Sequence, residues 1–440
     1  MSIMQQILFV IAFAIAVILF SKKVMQIRRN ILLGRDIDLT DNRGQRWKNM
    51  LLLAFGQKKM FRNPLVGLLH FFVYAGFVII NIEILEIILD GITGKHRLFA
   101  PLTGSLYTVL IGCFEVLAVL VILGCAIFLI RRNIIHVKRL ANKELNGWPK
   151  TDANLILITE IVLMCLFLSM NTSDQILQAR GHEHYTATGS FWISSQLIPV
   201  FNGLSDANLI GIERGAWWLH ILGILAFLNY LPYSKHLHII LAFPNAFYNR
   251  LVPKGEMENM PAIQQEVLYA MQPEMAPTEP STGEMPKFGA KDVQDLTWKN
   301  LLDAYTCTEC GRCSAACPAT TTGKALSPRL IMMKTRDRAE LVGKELNKKE
   351  DFKEDGKSLL YDYITEEELR ACTTCNACVQ ECPVSINPLD IILQLRRHLV
   401  MEASSAPAEW TNMFSNIENN MAPWKFSPDD RDKWAIEMNA

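Results

Sequence analysis

The chain has 440 residues, with 44 basic residues matched by 44 acidic ones, and 50% of its residues are hydrophobic. The net charge of zero does not indicate a nucleic-acid partner, and no basic patch with interleaved aromatic residues occurs. The mean hydropathy of +0.15 is high for a soluble protein, and the apolar residues concentrate before residue 250. These properties predict a membrane protein with a smaller soluble part.

Five segments before residue 250 are apolar enough to span a bilayer as helices, which takes about 20 residues each. They are residues 3–20, 64–89, 106–130, 154–170 and 211–243. The first resembles a signal peptide in position, but it lacks a leading positive charge and is followed directly by Lys22 and Lys23. We therefore interpret it as an uncleaved first helix.

The basic residues divide unequally between the connections of these segments. Connections 21–63 and 131–151 carry eleven and six Lys and Arg residues, whereas 90–104 and 171–210 carry two and one. Loops rich in Lys and Arg stay in the cytoplasm. We therefore expect the N-terminus outside and everything after the fifth helix inside, in the inner (plasma) membrane of a bacterium.

Four histidines lie within the predicted spans, where an imidazole is costly unless it is paired or bound to a metal, and one of them, His236, stands beside His238. His70 lies on the second helix, and His220 and His238 lie on the fifth. The latter two are 18 residues apart, which is five helical turns or about 27 Å, so their rings should face the same way near opposite leaflets. This arrangement favours haem ligation over the alternative of hydrogen bonds to neighbouring helices.

Matching depths pair two of these histidines. His70 and His238 each lie six residues from a proline at the inner end of their helix, so we expect them to be the axial ligands of one haem b. His220 has no histidine at its own depth on the second helix. A second haem would need another partner, such as His182 or His184 in the outer loop.

Four glutamates also fall inside predicted spans, and buried carboxylates near a redox centre can carry protons to and from a quinone. Glu115 and Glu160 are the better candidates for this role. Glu83 and Glu86 are better explained as the outer end of their helix.

The segment 251–297 contains six prolines and no apolar period, which predicts an extended tether with room for one short helix. Further on, residues 326–341 and 364–372 should be helical. Residues 401–440 form a polar tail with scattered tryptophans, which we expect to be loosely ordered.

A cysteine pattern that occurs twice is the strongest signal in the chain. Each run has three cysteines at steps of three and a fourth before proline, which is the ligand pattern of a bacterial-type [4Fe–4S] site. In such paired runs the fourth cysteine ligates the other cluster. The first cysteine set is therefore Cys307, Cys310, Cys313 and Cys382, and the second cysteine set is Cys372, Cys375, Cys378 and Cys317.

Zinc and disulfides are the alternatives for these cysteines. Zinc usually takes its ligands in two pairs, and disulfides need an oxidising compartment, so we favour clusters. The gap between the runs is too long for a compact β-rich ferredoxin, and a helical two-cluster domain fits better. The remaining cysteines are isolated among apolar residues and should only fill space in the helix packing.

The membrane half resembles the cytochrome b subunit of respiratory nitrate reductase. Residues 218–220 and 232–239 are similar to the fifth helix of that family, with His220 and His238 at its two ligand positions. On the second helix only one of the two histidines of the family is matched, by His70. The resemblance implies five helices, an outside N-terminus and bound haem.

The cysteine-containing half resembles the iron–sulfur domain of heterodisulfide reductases, on residues 306–313, 326–329 and 387–390. A fusion of both halves resembles the membrane subunit of bacterial heterodisulfide-reductase-like complexes, including the electron-transfer-flavoprotein:menaquinone oxidoreductases. Many such relatives continue into domains with adjacent Cys-Cys pairs that hold a catalytic cluster. This chain has no such pair, so we expect the catalytic site on a separate polypeptide.

We therefore predict an all-α protein: a five-helix transmembrane cytochrome b domain (1–250), a linker (251–297), a helical two-cluster ferredoxin domain (298–400) and a tail (401–440). Its expected role is to pass electrons between menaquinone, haem b, two [4Fe–4S] clusters and a cytoplasmic partner. That partner would be a Cys-Cys-motif catalytic subunit or electron-transfer flavoprotein. The alternatives are the membrane anchor subunit of a nitrate- or sulfite-type reductase, and a non-redox membrane tether whose clusters only stabilise the fold.

Overall fold

The computed structural model describes residues 2–254, 256–277, 287–348, 355–425 and 427–439. It is 72% helical, and its described residues form no β-strand, although two isolated β-bridges occur. The predicted all-α class is therefore confirmed.

The first half of the chain forms a bundle around long helices. The helices are α1 (Ile3–Ile31), α2 (Arg43–Met50), α3 (Pro64–Thr93), α4 (Ala100–Thr103), α5 (Ser105–Asn133), α6 (Trp148–Ala179), α7 (Ser194–Phe201), α8 (Asp206–Tyr230) and α9 (His238–Phe247). Among them α1, α3, α5, α6 and α8 are long and apolar enough to cross a membrane. The five predicted spans each correspond to one of these.

Shorter helices make up the second half. They are α10 (Pro261–Met271), α11 (Trp298–Thr306), α12 (Arg312–Ala316), α13 (Pro318–Thr321), α14 (Pro328–Lys348), α15 (Glu366–Arg370), α16 (Ala377–Glu381), α17 (Pro388–Arg397), α18 (Ala408–Asn420) and α19 (Lys433–Met438). The expected helices at 326–341 and 364–372 appear as α14 and α15. The tail is more structured than expected, because it contains α18 and α19, and Arg370 stacks over the Trp410 ring.

Local sequence signals set where the key helices begin. The Asn63 side chain accepts a hydrogen bond from the Val66 N–H, and Pro64 occupies the first helical position of α3, where its missing N–H is not needed. Thr297 and Asn300 form a capping box at the start of α11. These caps fix where His70 and the first cysteines lie relative to their helices.

The fifth predicted span is not one helix. α8 ends at Tyr230, two short 3₁₀ turns follow, and α9 begins only at His238. The buried Asp152 carboxylate at the start of α6 stabilises this interruption of the helix. It accepts hydrogen bonds from the Ser234 hydroxyl (2.6 Å) and the Lys235 N–H (3.2 Å). The expectation that His220 and His238 share one continuous helix is therefore wrong.

Aromatic side chains fill the centre of the bundle, where α6 packs between α5 and α8. Phe167 and Phe114 are buried there together with Trp217. At the end of the bundle near the α3–α5 connection, the buried Arg97 guanidinium is paired with Asp174 at 2.5 Å. This end is called the outer end, and the opposite one, where the loops 21–63 and 131–151 lie, is called the basic end.

The second half of the chain packs directly on the basic end of the bundle. One hydrophobic core contains Ile27 and Ile31 of α1 and Leu237, and it continues into Leu301 and Ile331 of the second half. The N-terminal part of this half, residues 287–297, is also packed into that core rather than extended. The expectation of an extended tether is therefore wrong for residues 287–297, because apolar surface on both halves is removed from water at this contact. The one short helix for which the prediction left room appears as α10, and residues 278–286 lie outside the described part of the chain.

Polar contacts reinforce this packing on the α1 side. The Arg35 N–H donates to the Leu296 carbonyl (2.7 Å), and the Trp298 N–H donates back to the Arg35 carbonyl (3.0 Å). Arg29 donates to the carbonyl of Gly343 on α14 (2.7 Å). A Cβ atom at Gly343 would lie only 2.2 Å from the Asn30 side chain, so glycine permits the close approach of α14 to α1.

A substitution at Gly343 tests this packing. We expect Gly343→Leu to force α14 away from α1 and to weaken the contact by about 1–3 kcal/mol, as overpacking usually does. After cleavage at a protease site inserted near residue 272, the second half of the wild-type chain should stay with the membrane fraction, whereas in Gly343→Leu it should be released. Lys344→Leu, which alters an exposed neighbour on α14, is the control. Release of the wild-type second half would contradict a shared core.

Candidate redox centres

The first cysteine set is assembled from three short segments. Cys307 directly follows α11, Cys310 and Cys313 lie in the next turn and in α12, and Cys382 follows α16. The thiol of Cys313 lies within electrostatic range of the other three members, and also of Cys378 of the second set. The structure thus brings the fourth cysteine of the second run to the first three cysteines of the first run.

The second cysteine set lines a small cavity. Its wall contains Cys317, Cys372, Cys375 and Cys378. Apolar residues, among them Leu326 and Ile392, complete the wall. The fourth cysteine of the first run therefore joins the first three cysteines of the second run, which is the exchange that the spacing predicts.

The two cysteine runs repeat the same backbone geometry. Glu309 and Gly311 have positive φ angles of 53° and 74°, and the corresponding Thr374 and Asn376 have 56° and 59°. Left-handed residues turn the chain sharply, so three thiols spaced by three residues can face one point. The Thr374 N–H also donates to the Cys372 sulfur at 3.4 Å.

Burial disfavours negative charge on most of these thiols. It raises the pKa of Cys307 and of Cys378 to about 12, and that of Cys382 to about 11. Thiolates are the form that binds iron, so cation binding here must release protons and is coupled to folding. The donor chemistry of both sets, four sulfurs in a mostly apolar wall, fits a [4Fe–4S] cube.

A site for a single metal ion has tighter geometry. Among the described residues, no group of three or more His, Cys, Asp or Glu side chains converges closely enough to hold one ion. Around one zinc the sulfurs lie about 2.3 Å from the metal, whereas a four-iron cube keeps its thiolates farther apart. Measuring the iron and zinc content of the purified protein distinguishes iron–sulfur clusters from bound zinc.

Three histidines gather at the basic end of the bundle. His70 lies in α3, His236 lies in the 3₁₀ turn and His238 begins α9. The rings of His236 and His238 are 5.6 Å apart between centroids, and His70 lies within electrostatic range of both. The structure therefore brings His70 and His238 to the same level, and it adds His236, whose Nε2 is buried without a hydrogen-bond partner among the described residues.

Each of the two predicted ligands is held by its other ring nitrogen. His70 Nδ1 donates to the Gln57 side-chain oxygen at 2.9 Å, and His238 Nδ1 donates to the Lys235 carbonyl at 3.0 Å. Metal-ligating histidines are commonly fixed in this way, because the second hydrogen bond sets the tautomer and the ring orientation. The arrangement leaves both Nε2 atoms for an iron and fits a haem.

His220 lies apart from this group. Its Nδ1 donates to the Leu163 carbonyl at 2.9 Å, and its Nε2 is buried without a partner among the described residues. His182 bonds to Asp206 at 2.9 Å, and Asp206 precedes His220 by 14 residues on α8, or about 21 Å along the helix. The expectation that His182 shares a haem with His220 is therefore wrong. His184 packs against Tyr185 of its own loop and against His96 of the α3–α5 connection.

Two of the membrane glutamates, Glu83 and Glu115, differ from expectation. Glu115 accepts hydrogen bonds from the Asn171 amide (3.1 Å) and from the Ser194 N–H (3.1 Å), so it ties α5 to α6 and α7. Glu86 accepts from Tyr107 at 2.7 Å. Glu83, in contrast, has a buried Oε2 without a partner in the described part of the chain. Glu83 is thus a better candidate for proton exchange than Glu115.

Two lysines connect the histidine group to the first cysteine set. Lys59 donates to the Cys382 carbonyl at 2.9 Å. Lys235 pairs with the buried Glu309 at 2.5 Å, and Arg336 pairs with the other oxygen of that carboxylate at 2.9 Å. Burial alone would raise the pKa of Glu309, but Lys235 and Arg336 hold it below its ordinary value.

The segments that contain Lys59 and Lys235 also contain the hydrogen-bond partners of the two histidines. Lys235 holds His238 through its carbonyl and Glu309 through its ammonium group. Gln57, which holds His70, is two residues before Lys59. Each predicted haem ligand is therefore connected to the first cysteine set through one short segment, residues 57–59 for His70 and Lys235 for His238.

Sequence reasoning did not identify Gln57, Lys59, Lys235 and Glu309. Glu309 lies between two cysteines of the first run, and Lys235 lies next to His236. These neighbouring residues are the only local indications that either side chain has a functional role. Lys235 and Glu309 are 74 residues apart in sequence, so no spacing rule connects them.

The comparisons with known proteins concern both halves. A family described as the 4Fe-4S dicluster domain matches residues 306–386. The probable iron-sulfur-binding oxidoreductase FadF of Bacillus subtilis is 29% identical, and the alignment covers 99% of this chain and 61% of that protein. No solved structure matches.

Two further relatives carry related descriptions. The EtfAB:quinone oxidoreductase of Syntrophomonas wolfei is 26% identical over 92% of this chain and 56% of its own length. A probable membrane-anchored ferredoxin of Chromohalobacter salexigens is 32% identical over 34% of this chain and 24% of its own length. The chain thus spans about 60% of the length of the first two relatives. The relatives are iron–sulfur oxidoreductases, and the predictions of a 4Fe-4S protein and of a membrane protein are confirmed at that level.

Cysteine variants test the exchange between the two sets. Cys310→Ala and Cys382→Ala should remove the same cluster, and each variant should lose about four of about eight irons. Cys317→Ala should instead give the electron paramagnetic resonance spectrum that Cys375→Ala gives. Cys165→Ala, which alters an exposed cysteine of α6, is the control. Zinc in place of iron, or different spectra for Cys310→Ala and Cys382→Ala, would contradict the assignment.

Proposed function

We propose that this chain is the membrane electron-transfer subunit of a quinone-linked oxidoreductase. It exchanges electrons with menaquinone in the bilayer and with a cysteine-rich catalytic partner or an electron-transfer flavoprotein in the cytoplasm. The observation that carries the proposal is the serial placement of three candidate sites. Lys59 and Lys235 join the histidine group to the first cysteine set, and the Cys313 thiol of that set lies within electrostatic range of Cys378 of the second.

In this proposal His70 and His238 are the axial ligands of a haem b, and each cysteine set holds one [4Fe–4S] cluster. These groups, when bound, supply one-electron carriers, and the protein positions them and tunes their electronics. The residues for that task are present. Gln57 and the Lys235 carbonyl orient the imidazoles, and backbone N–H groups donate to the sulfurs of Cys372 and Cys382.

The proposed orientation places the cluster-binding half in the cytoplasm of a bacterium and the N-terminus outside. Support comes from charge, because the two connections richest in Lys and Arg lie at the end on which that half packs. Such connections remain on the cytoplasmic side during membrane insertion. Menaquinone is proposed because the membrane half resembles quinone-linked cytochromes b, and because one relative is described as a quinone oxidoreductase.

Histidine variants test the haem ligands. His70→Ala and His238→Ala should each abolish the sharp reduced absorption bands of haem b, because each removes an axial ligand of the same iron. The reduced-minus-oxidised spectrum of the purified chain measures this. His136→Ala, which alters an exposed histidine, should keep the full band. A full band in His238→Ala with loss in His236→Ala would transfer the ligand role to His236.

The electron path itself can be tested with quinol. We expect menaquinol to reduce the haem of the isolated chain, while no soluble substrate turns over. In Cys313→Ala, which should lack the first cluster, menaquinol should still reduce the haem but no longer the second cluster. Cys113→Ala, an exposed cysteine outside both sets, is the control. Failure of menaquinol to reduce the haem of the intact chain would make the quinone role wrong.

A further inference from the structure

An open cavity of about 300 Å³ lies where the basic end of the bundle meets the second half of the chain. Three arginines from separate segments line it: Arg62 before α3, Arg139 in the turn 138–140, and Arg312 at the start of α12. Val66 and two alanines of α12 provide its apolar part. The cavity is neither the histidine group nor either cysteine set.

The positive charge in this cavity is only partly compensated. Arg62 pairs with Glu381, the one carboxylate of the lining. Arg139 instead donates to the Cys310 carbonyl, and Arg312 donates to the Lys59 carbonyl at 3.1 Å. Carbonyl contacts fix the direction of a guanidinium group but do not neutralise it. Among the described residues of the lining, three cations therefore face one anion, and their remaining N–H donors are available to an anionic ligand.

Membrane topology alone does not account for this cluster. Basic residues of cytoplasmic loops set orientation without needing to converge. Here Arg139 and Arg312 are half-buried, and Arg312 belongs to the cysteine-containing half rather than to a membrane connection. The chain holds like charges together at a cost in free energy, which an anion would offset.

The position of the cavity defines the chemistry of the anion. Arg62 and Val66 lie on either side of Pro64, the first residue of a membrane-spanning helix, so the cavity lies at the depth of lipid headgroups. Guanidinium groups match phosphate oxygens in a bidentate geometry, and basic pockets at this level of membrane proteins bind anionic headgroups.

We propose that Arg62, Arg139 and Arg312 form a binding site for a phosphate group, supplied by the headgroup of an anionic phospholipid or by free phosphate. The bound phosphate would cross-link the loop before α3, the turn 138–140 and α12. It would thereby strengthen the packing of the cysteine-containing half on the membrane helices. This role is independent of electron transfer.

The experiment uses the full chain reconstituted in nanodiscs of phosphatidylglycerol or of phosphatidylcholine and then extracted with mild detergent. Native mass spectrometry counts the lipid retained, and the wild type should retain phosphatidylglycerol but not phosphatidylcholine. Each arginine contributes about 1 kcal/mol near an anionic surface, or about fivefold in affinity. We therefore expect about fivefold weaker retention in Arg62→Gln or Arg139→Gln, and about 25-fold weaker retention in the double variant.

Matched controls separate this site from general surface charge. Lys58→Gln and Lys138→Gln remove exposed charges from the same two loops and should retain the lipid. Arg139→Lys keeps the charge but loses the bidentate geometry, so its retention should be intermediate. Iron content identifies any variant that has lost its fold. As a measurement without variants, added phosphatidylglycerol should raise the melting temperature of the wild type.

Inorganic phosphate forms the second arm of the experiment. If phosphate protects the wild type against heat, if Arg139→Gln abolishes this protection and if no lipid is retained, the ligand is free phosphate. The proposal is overturned if neither phosphatidylglycerol nor phosphate binds. It is equally overturned if the two lysine controls lose as much binding as the arginine variants.

Discussion

The buried contact between Lys235 and Glu309 joins the membrane helices to the cysteine-containing half, and much of the candidate machinery depends on it. Glu309 stands inside the first cysteine run, and Lys235 stands in the break between α8 and α9. Removing one partner of a buried pair leaves an uncompensated charge, which typically costs about 3–5 kcal/mol. The pair therefore fixes the distance between the cysteines and His238, which is bound to the same lysine.

The parts of the fold that follow from local composition were predictable. Bilayer thickness imposes a length on each apolar segment, and cluster geometry imposes a spacing on the cysteines, so both can be found in a single stretch of sequence. The break after Tyr230 could not be found in this way. It depends on Asp152, which lies about 80 residues earlier in sequence and accepts from Ser234 and Lys235.

The contact between the two halves was unpredictable for a related reason. Proline and polar residues between 251 and 297 indicate a stretch without long helices, but they do not say which surfaces will meet. The decisive residues, such as Leu296 and Gly343, show their importance only beside Arg35 and Asn30. The candidate site divides similarly: its cysteines and histidines are recognisable by type and spacing, whereas the residues that orient them, such as Gln57, are not.

The exchange of Cys317 and Cys382 between the two runs has a consequence for how the protein is made. On the proposed ligand sets, neither run can close its own cube, because each lacks a fourth thiolate until the other has left the ribosome. Synthesis proceeds from the N-terminus, so the membrane helices and the first run emerge before Cys382 exists. Cofactor insertion must then be a late event, and a nascent chain stalled between the runs would hold thiols but no completed cluster.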